Sequence, residues 1–295
     1  MQSVLDQDYR PVEYLLVDGG SNDGSQEIIH RYEDRLAWWV SERDSGQAEA
    51  ISKGFARVKG DYIGWLNSDD LYLPGAISQA AEALEADPTL GMVFGDAITI
   101  NATGNSIKPL VFGDLSLIDL MGFRIICQPA VFMRRSIFEQ AGRLDLSYHF
   151  LLDHQLWIRM ARLAPIRHIP YTWAAARHHP GAKNVAQAGS FGQEAFRILD
   201  WMESQPDLAP LVSAHRRRIE AGAYRLSARY LLDGGLPGPA LKDYLHALFL
   251  SPAFALQHWR RMAYALATLL GAQKLAAWAS HRWQHQTIIP PRGTS

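Results

Sequence analysis

Two carboxylates side by side at the end of a short apolar run are the first residues in this chain that invite chemistry. Tyr62-Ile63-Gly64-Trp65-Leu66 has the length and composition of a buried strand, and it runs directly into Asn67-Ser68-Asp69-Asp70. Adjacent carboxylates repel unless a cation or hydrogen-bond donors neutralise them, which suits a hard divalent ion carrying a phosphate. As a plain turn the same residues would need no function, since Asp is common in turns. A second polar cluster, Asp18-Gly19-Gly20-Ser21-Asn22-Asp23-Gly24-Ser25, follows the apolar run Val12–Val17. Asp18 there could accept from a nucleobase imino group with Gly19 and Gly20 admitting a close backbone, or simply close an Asx turn. The loop lacks the GxxxxGK[ST] spacing of a P-loop. Arg43, in Ser41–Gln47, could meet phosphate charge or stand as a surface arginine. Asp153 opens a helical pattern, where free N–H groups and the dipole favour its ionised form; an N-cap alone would also explain it. Arg177-His178-His179 with Lys183 could offer one metal ligand and phosphate contacts, and His154 reads as a surface residue.

The elements that must hold these residues alternate. Strands are expected at Val12–Val17, Leu36–Val40, Asp61–Leu66, Met92–Phe94, Ala97–Ile100 and Gln128–Met133. Helices are expected from Asp23 to about Arg35, with Asp23 and Gln26 as a capping box, from Ser41 to a closing Gly54, from Pro74 to Ala86, and from Asp153. Such alternation implies a mainly parallel sheet covered on both faces. In such a sheet all C-terminal strand ends lie on one edge, so the clusters at Asp18, Arg43 and Asn67 converge. Residues 101–126 show no clear pattern. Beyond Phe191 the pattern is helical, and Ala223–Pro252 has the look of one tetratricopeptide-type helix pair; a single repeat makes an appendage rather than a solenoid.

Of the 295 residues, 48% are hydrophobic and 20% charged, an ordinary globular composition. The net charge of −1 conceals a split. Residues 1–200 carry 18 Lys and Arg against 25 Asp and Glu, a balance of −7, while 201–295 carry 11 against 5, a balance of +6. The acidic front argues against a nucleic-acid reader. The basic tail suits an anionic lipid surface, an acidic partner or docking on the front half. A single cysteine, Cys127, excludes a disulfide framework and fits a reducing compartment.

Six blocks in order resemble family 2 glycosyltransferases: Val17–Ser25, Ser45–Gly54, Trp65–Gly75, Gln128–Ala130, Leu152–Arg159 and Arg177–Lys183. The likeness covers roughly residues 1–200. It implies a GT-A fold and inverting transfer of a sugar from a UDP- or GDP-type nucleotide sugar to the hydroxyl of a carbohydrate or lipid-linked acceptor, in cell-envelope or exopolysaccharide synthesis. By position, Asp18 would bind the base and Arg43 would lie near the nucleotide. Ser21, Asp23, Gly46, Gln47, Lys53, Ser68 and Asp70 would complete the nucleotide-sugar site. Asn67 takes the place of the first Asp of the family's DxD signature, which leaves Asp69, with His179, to hold Mn2+ or Mg2+. Asp153 matches the catalytic base, and Lys183 lies with His179 in a segment that closes over the diphosphate.

The chain also departs from the family pattern. The family begins with a strand ending in a Thr-Pro-Ser-Tyr-Asn-like motif, whereas this chain starts inside the helix that follows it, and Asn67 removes one carboxylate. The reading is therefore an α/β GT-A domain over 1–200 lacking its first strand, an all-α region over 201–289 and a disordered tail over 290–295. The expected setting is cytoplasmic, with the basic C-terminal region a candidate for peripheral membrane contact. The alternatives are a truncated non-catalytic homologue that acts as a binding protein, and a sugar nucleotidyltransferase.

Overall fold

The computed structural model describes residues 1–178 and 187–272. The chain divides into two compact units, Met1–His179 and Pro180–Ser295. In the first, the strands are β1 (Leu15–Asp18), β2 (Trp38–Ser41), β3 (Tyr62–Ile63), β4 (Leu71–Tyr72), β5 (Met92–Ile100), β6 (Ser106–Leu110), β7 (Val131–Arg134) and β8 (Ile166–Arg177). Its helices are α1 (Gln2–Leu5), α2 (Ser25–His30), α3 (Gln47–Phe55), α4 (Ala76–Ala86), α5 (Leu117–Met121), α6 (Arg135–Gln140) and α7 (Leu152–Ala161).

The β-rich runs Leu15-Leu16-Val17 and Trp38-Trp39-Val40 pair in parallel, in a register that sets Asp18 opposite Ser41. The other six strands form one sheet ordered β3-β7-β5-β8-β4, with β6 also on β5. The parallel direction expected from the sequence holds for β1–β2 and for the long β5–β8 pair, while β3–β7, β5–β7, β5–β6 and β4–β8 are antiparallel. The sheet is therefore mixed; among its antiparallel pairs, β5 and β6 are joined by the short turn over 101–105 rather than by a crossover helix. Val93, Ala97, Phe132, Trp173 and Ala174 of this sheet pack with Ala76, Ala80 and Leu84 of α4, and Val4 and Tyr72 join them. Each large side chain buried this way contributes about 1.5–3 kcal/mol. The Trp173 indole N–H is satisfied by Gln79 Oε1 at 2.9 Å.

Several boundaries differ from the sequence reading. The run at Tyr62–Leu66 pairs only over Tyr62–Ile63, against Arg134 and Met133, and the chain then leaves the sheet. β5 is continuous through Gly95-Asp96, and its partner β8 absorbs the irregularity: Gly95 pairs with Ile169 and Asp96 with Thr172, so Pro170 and Tyr171 pass as a bulge. Pro170 masked β8 in the sequence, because proline is tolerated in strands mainly at edges and bulges. α2 ends at His30, and no capping box forms there; Asp23 instead caps Ser25 locally, accepting from its N–H at 3.1 Å and its hydroxyl at 2.7 Å. α3 runs to Phe55, so Gly54 lies within its last turn, packed toward Val17 of β1.

The second unit is helical over its described residues: α8 (Ala188–Ser204), α9 (Ala209–Asp233), α10 (Pro237–Leu250), α11 (Pro252–Ala255) and α12 (Trp259–Leu269). α9 bends at His215, whose φ and ψ (−118° and 16°) are not helical. Small residues let these helices approach closely. Ala228, Ala240, Tyr244 and Ala265 form one buried cluster, and Ala221, Ala247, Phe254 and Ala255 another. Buried Arg225 lies 3.8 Å over the Phe254 ring and donates to Gln257 Oε1 at 3.0 Å.

Candidate active site

The site is assembled from the loops after β1, β2 and β3. At the end of β1, the Asp18 carboxylate accepts from the Ser21 N–H (2.9 Å) and hydroxyl (2.5 Å), from the Gly20 N–H (3.2 Å) and from the Ser41 hydroxyl (2.6 Å). Partial burial pushes its pKa up, but the Ser21 and Ser41 hydrogen bonds outweigh that and hold Asp18 below the usual carboxylate value. The first loop lies against the second: a Cβ on Gly19 would come within 2.8 Å of Asp44 Oδ2, so only glycine fits there without a shift. Arg43 is exposed beside it. Lys53 is already bridged to Glu42 and Glu49, each at 3.0 Å, and Asp23 is exposed as a helix-start cap.

The second loop then reaches the third. Gln47 Nε2 donates to Asn67 Oδ1 at 2.8 Å. Asn67 Nδ2 donates to Gln128 Oε1 at 3.1 Å and, more weakly, to Asp70 Oδ2 at 3.5 Å, while Gln128 Nε2 donates to the Trp65 carbonyl at 2.8 Å. The Asp70 N–H donates to the Asn67 carbonyl at 3.2 Å, closing a turn with Ser68 and Asp69 at its centre. From the far side, the Arg177 N–H donates to Asp70 Oδ1 at 2.8 Å and its guanidinium to the Asp69 carbonyl at 2.9 Å. The same guanidinium also holds the carbonyls of Asn101 and Ala102. Arg177, read from sequence as a phosphate contact, therefore anchors the acidic turn instead. Ser41 and Gln128 were not picked as site residues. Only Ser41 carried a usable signal, since it ends β2 as Asp18 ends β1.

Asp70 is buried, and that burial pushes its carboxyl up to about 6; the Arg177 N–H offsets part of the rise and the neighbouring Asp69 charge adds to it. Asp69, by contrast, is half-buried at the turn's centre.

Asp153 occupies the second position of α7 rather than its N-cap, which is Leu151. Trp157, one turn further along the same face, stacks on Trp65 with ring centroids 5.3 Å apart. That contact ties the middle of α7 to the segment that carries Asn67–Asp70. His154 is buried rather than exposed: Nε2–H donates to the Leu120 carbonyl at 2.8 Å, its ring stacks on Phe123, and burial pushes its pKa down to about 4. His179 and Lys183 lie outside the described residues.

Among the described residues no three His, Cys, Asp or Glu side chains come together as a metal cage. Asn67 has both ends of its amide engaged within the protein. The carboxylates of the turn are those of Asp69 and, behind it, Asp70. This fits a hard cation that takes one or two protein carboxylates and completes its shell with phosphate oxygens and water. It does not fit an ion caged by protein alone.

A mixed sheet flanked by helices, with a helical C-terminal region, is the architecture of the GT-A glycosyltransferase fold. TarS from S. aureus, solved with UDP-GlcNAc, superposes with a TM-score of 0.61 at 15% identity, covering 96% of this chain and 87% of that one. The Pyrobaculum calidifontis mannosyltransferase PcManGT, solved with GDP-Man and Mn2+, gives 0.56 at 18% identity over 92% and 81%. Residues 1–142, just under half of the chain, match the sequence model described as Glycosyl transferase family 2. Relatives include an uncharacterized glycosyltransferase of Rickettsia conorii, 25% identical over 63% of this chain and 33% of its own length. Another, from Mycobacterium tuberculosis, is 28% identical over 55% of this chain and 62% of its own length. The O-antigen biosynthesis protein RfbC of Myxococcus xanthus is 28% identical over 64% of this chain and 15% of that protein. The chain thus spans less than two thirds of the length of each of these relatives.

Proposed function

We propose that the chain transfers a sugar, with inversion, from a UDP- or GDP-type donor to an acceptor hydroxyl in the synthesis of a cell-envelope or exported polysaccharide. The observation that carries this reading is the continuous hydrogen-bonded path Gln47–Asn67–Asp70–Arg177, which ties the loop after β2 to the turn that carries Asp69. Asp18, held ionised by Ser21 and Ser41, is suited to accept from a base N–H, and Arg43 stands on the same loop edge to meet the diphosphate. Mn2+ or Mg2+, when bound, would be held through Asp69 and would neutralise charge on the leaving diphosphate. Asp153, in the first turn of α7 where helix N–H groups favour its anion, takes the proton from the acceptor hydroxyl as that oxygen attacks the anomeric carbon. Attack from the face opposite the leaving group inverts the centre.

The test is to supply UDP- and GDP-sugars with Mn2+ or with EDTA and to follow release of nucleoside diphosphate. Asp153→Asn and Asp69→Ala are each expected to lower turnover by about 100-fold or more. Wild-type turnover in both variants would overturn the site assignment. Release of pyrophosphate in place of nucleoside diphosphate would favour a nucleotidyltransferase.

A further inference from the structure

α12 packs one face into its own unit and leaves the other apolar. Ala265 is fully buried, with Met262 against the Ala240–Tyr244 cluster, and Arg261 turns back to Asp233 at 2.7 Å. On the opposite side Trp259, Ala263, Leu266 and Leu270 recur at the i, i+4, i+7 and i+11 positions and all are exposed: Trp259 by 54%, Leu266 by 48% and Leu270 by 74%. A helix that buries one apolar stripe ordinarily turns charge outward, so this second stripe has another use. The guanidinium of exposed Arg260 lies 5.5 Å from the Trp259 ring, which presents a cation and an indole together. Phe249 of α10, 79% exposed, adds a further outward aromatic to this unit.

The charge of the C-terminal sequence points to the occupant of the stripe. From Tyr244 to Ser295 there is no Asp or Glu, against five Lys and Arg: Arg260, Arg261, Lys274, Arg282 and Arg292. A second copy of the chain would bring like charge to like charge, which opposes self-association. An anionic bilayer surface complements both the acid-free sequence and the Trp–Leu stripe.

We propose that this face of α12 docks the protein on anionic lipid, with Trp259, Leu266 and Leu270 entering the boundary between headgroups and acyl chains and Arg260 meeting lipid phosphates. The test uses the full chain in vesicle flotation, with phosphatidylcholine alone or mixed with phosphatidylglycerol; it needs neither donor nor turnover, so its outcome is independent of the sugar-transfer reading. Flotation is expected with the mixed vesicles, weakened by salt, and reduced about tenfold or more by Leu266→Glu with Leu270→Glu. Leu270→Glu alone, just beyond the helix end, is expected to lower it in the same direction while the melting curve stays that of the wild type. Val111→Glu, at a position 72% exposed in the other unit, is expected to leave flotation unchanged. Absence of flotation, or flotation indifferent to both Leu variants, would overturn the proposal. So would a dimer in sedimentation velocity that the double variant dissociates.

Discussion

Two buried titratable residues, Asp70 of the acidic turn and His154 of α7, give opposite pH signatures. Asp70, whose native pKa of about 6 lies above the unfolded value near 4, holds its proton more tightly when folded. Its contribution is therefore present at low pH and is lost as pH rises from about 4 to about 6. His154, lowered to about 4, is the reverse: its unfolded state binds the extra proton, so stability is lost as pH falls from about 6.5 to about 4. Each shift corresponds to about 3 kcal/mol at most. Asp70→Asn is expected to gain on the wild type between pH 4 and 6, and His154→Gln to flatten the acid limb, both read from urea midpoints across that range. A wild-type slope in Asp70→Asn would mean that another group titrates there. Asp70 was legible as a carboxylate near a site, but its burial was not. Sequence showed two adjacent acids and could not tell which one Arg177, 107 residues away, would draw inward.

At the scale of elements, the helix pairs of the second unit depend on small residues at their crossings. α8 approaches α9 so closely at Gly192 that a Cβ there would overlap the Ser227 side chain, whose hydroxyl donates to Asp243 at 2.6 Å. Gly192→Ala is expected to cost about 1–3 kcal/mol in chemical denaturation, since the overlap meets a side chain held by its own hydrogen bond. An unchanged midpoint would show that the helices separate freely. The helical character of this region was legible from its period, and so was the α9–α10 hairpin, which the Asp233-Gly234-Gly235 turn announced. β8 was not, because Pro170 and the Ala174-Ala175-Ala176 run both argue locally against a strand. Pairing with β5 overrides them.

For the whole molecule, charge is partitioned: the acidic part holds the residues that match the family 2 glycosyltransferase model and the basic part the outward stripe of α12. If lipid docking serves sugar transfer, the two activities separate by assay. Donor hydrolysis in solution is expected to be the same for the wild type and the Leu266→Glu, Leu270→Glu variant. Transfer to an acceptor embedded in phosphatidylglycerol vesicles is expected to fall with the loss of flotation. Equal losses in both assays would mean that the stripe supports the fold rather than the surface.

By itself the sequence determined the α/β alternation, the order of the polar blocks, the resemblance to a glycosyltransferase and the acid-free tail. These depend on local period, composition and spacing along the chain. Only the tertiary structure decided that the sheet is mixed, that Asn67 directs its amide to Gln47 and Gln128, that Arg177 anchors the turn and that His154 is buried. Those outcomes rest on partners between 20 and 108 residues apart in the hydrogen bonds of the acidic turn. Such partners are chosen by packing and by the need to satisfy every buried polar group, and local sequence carries no record of either.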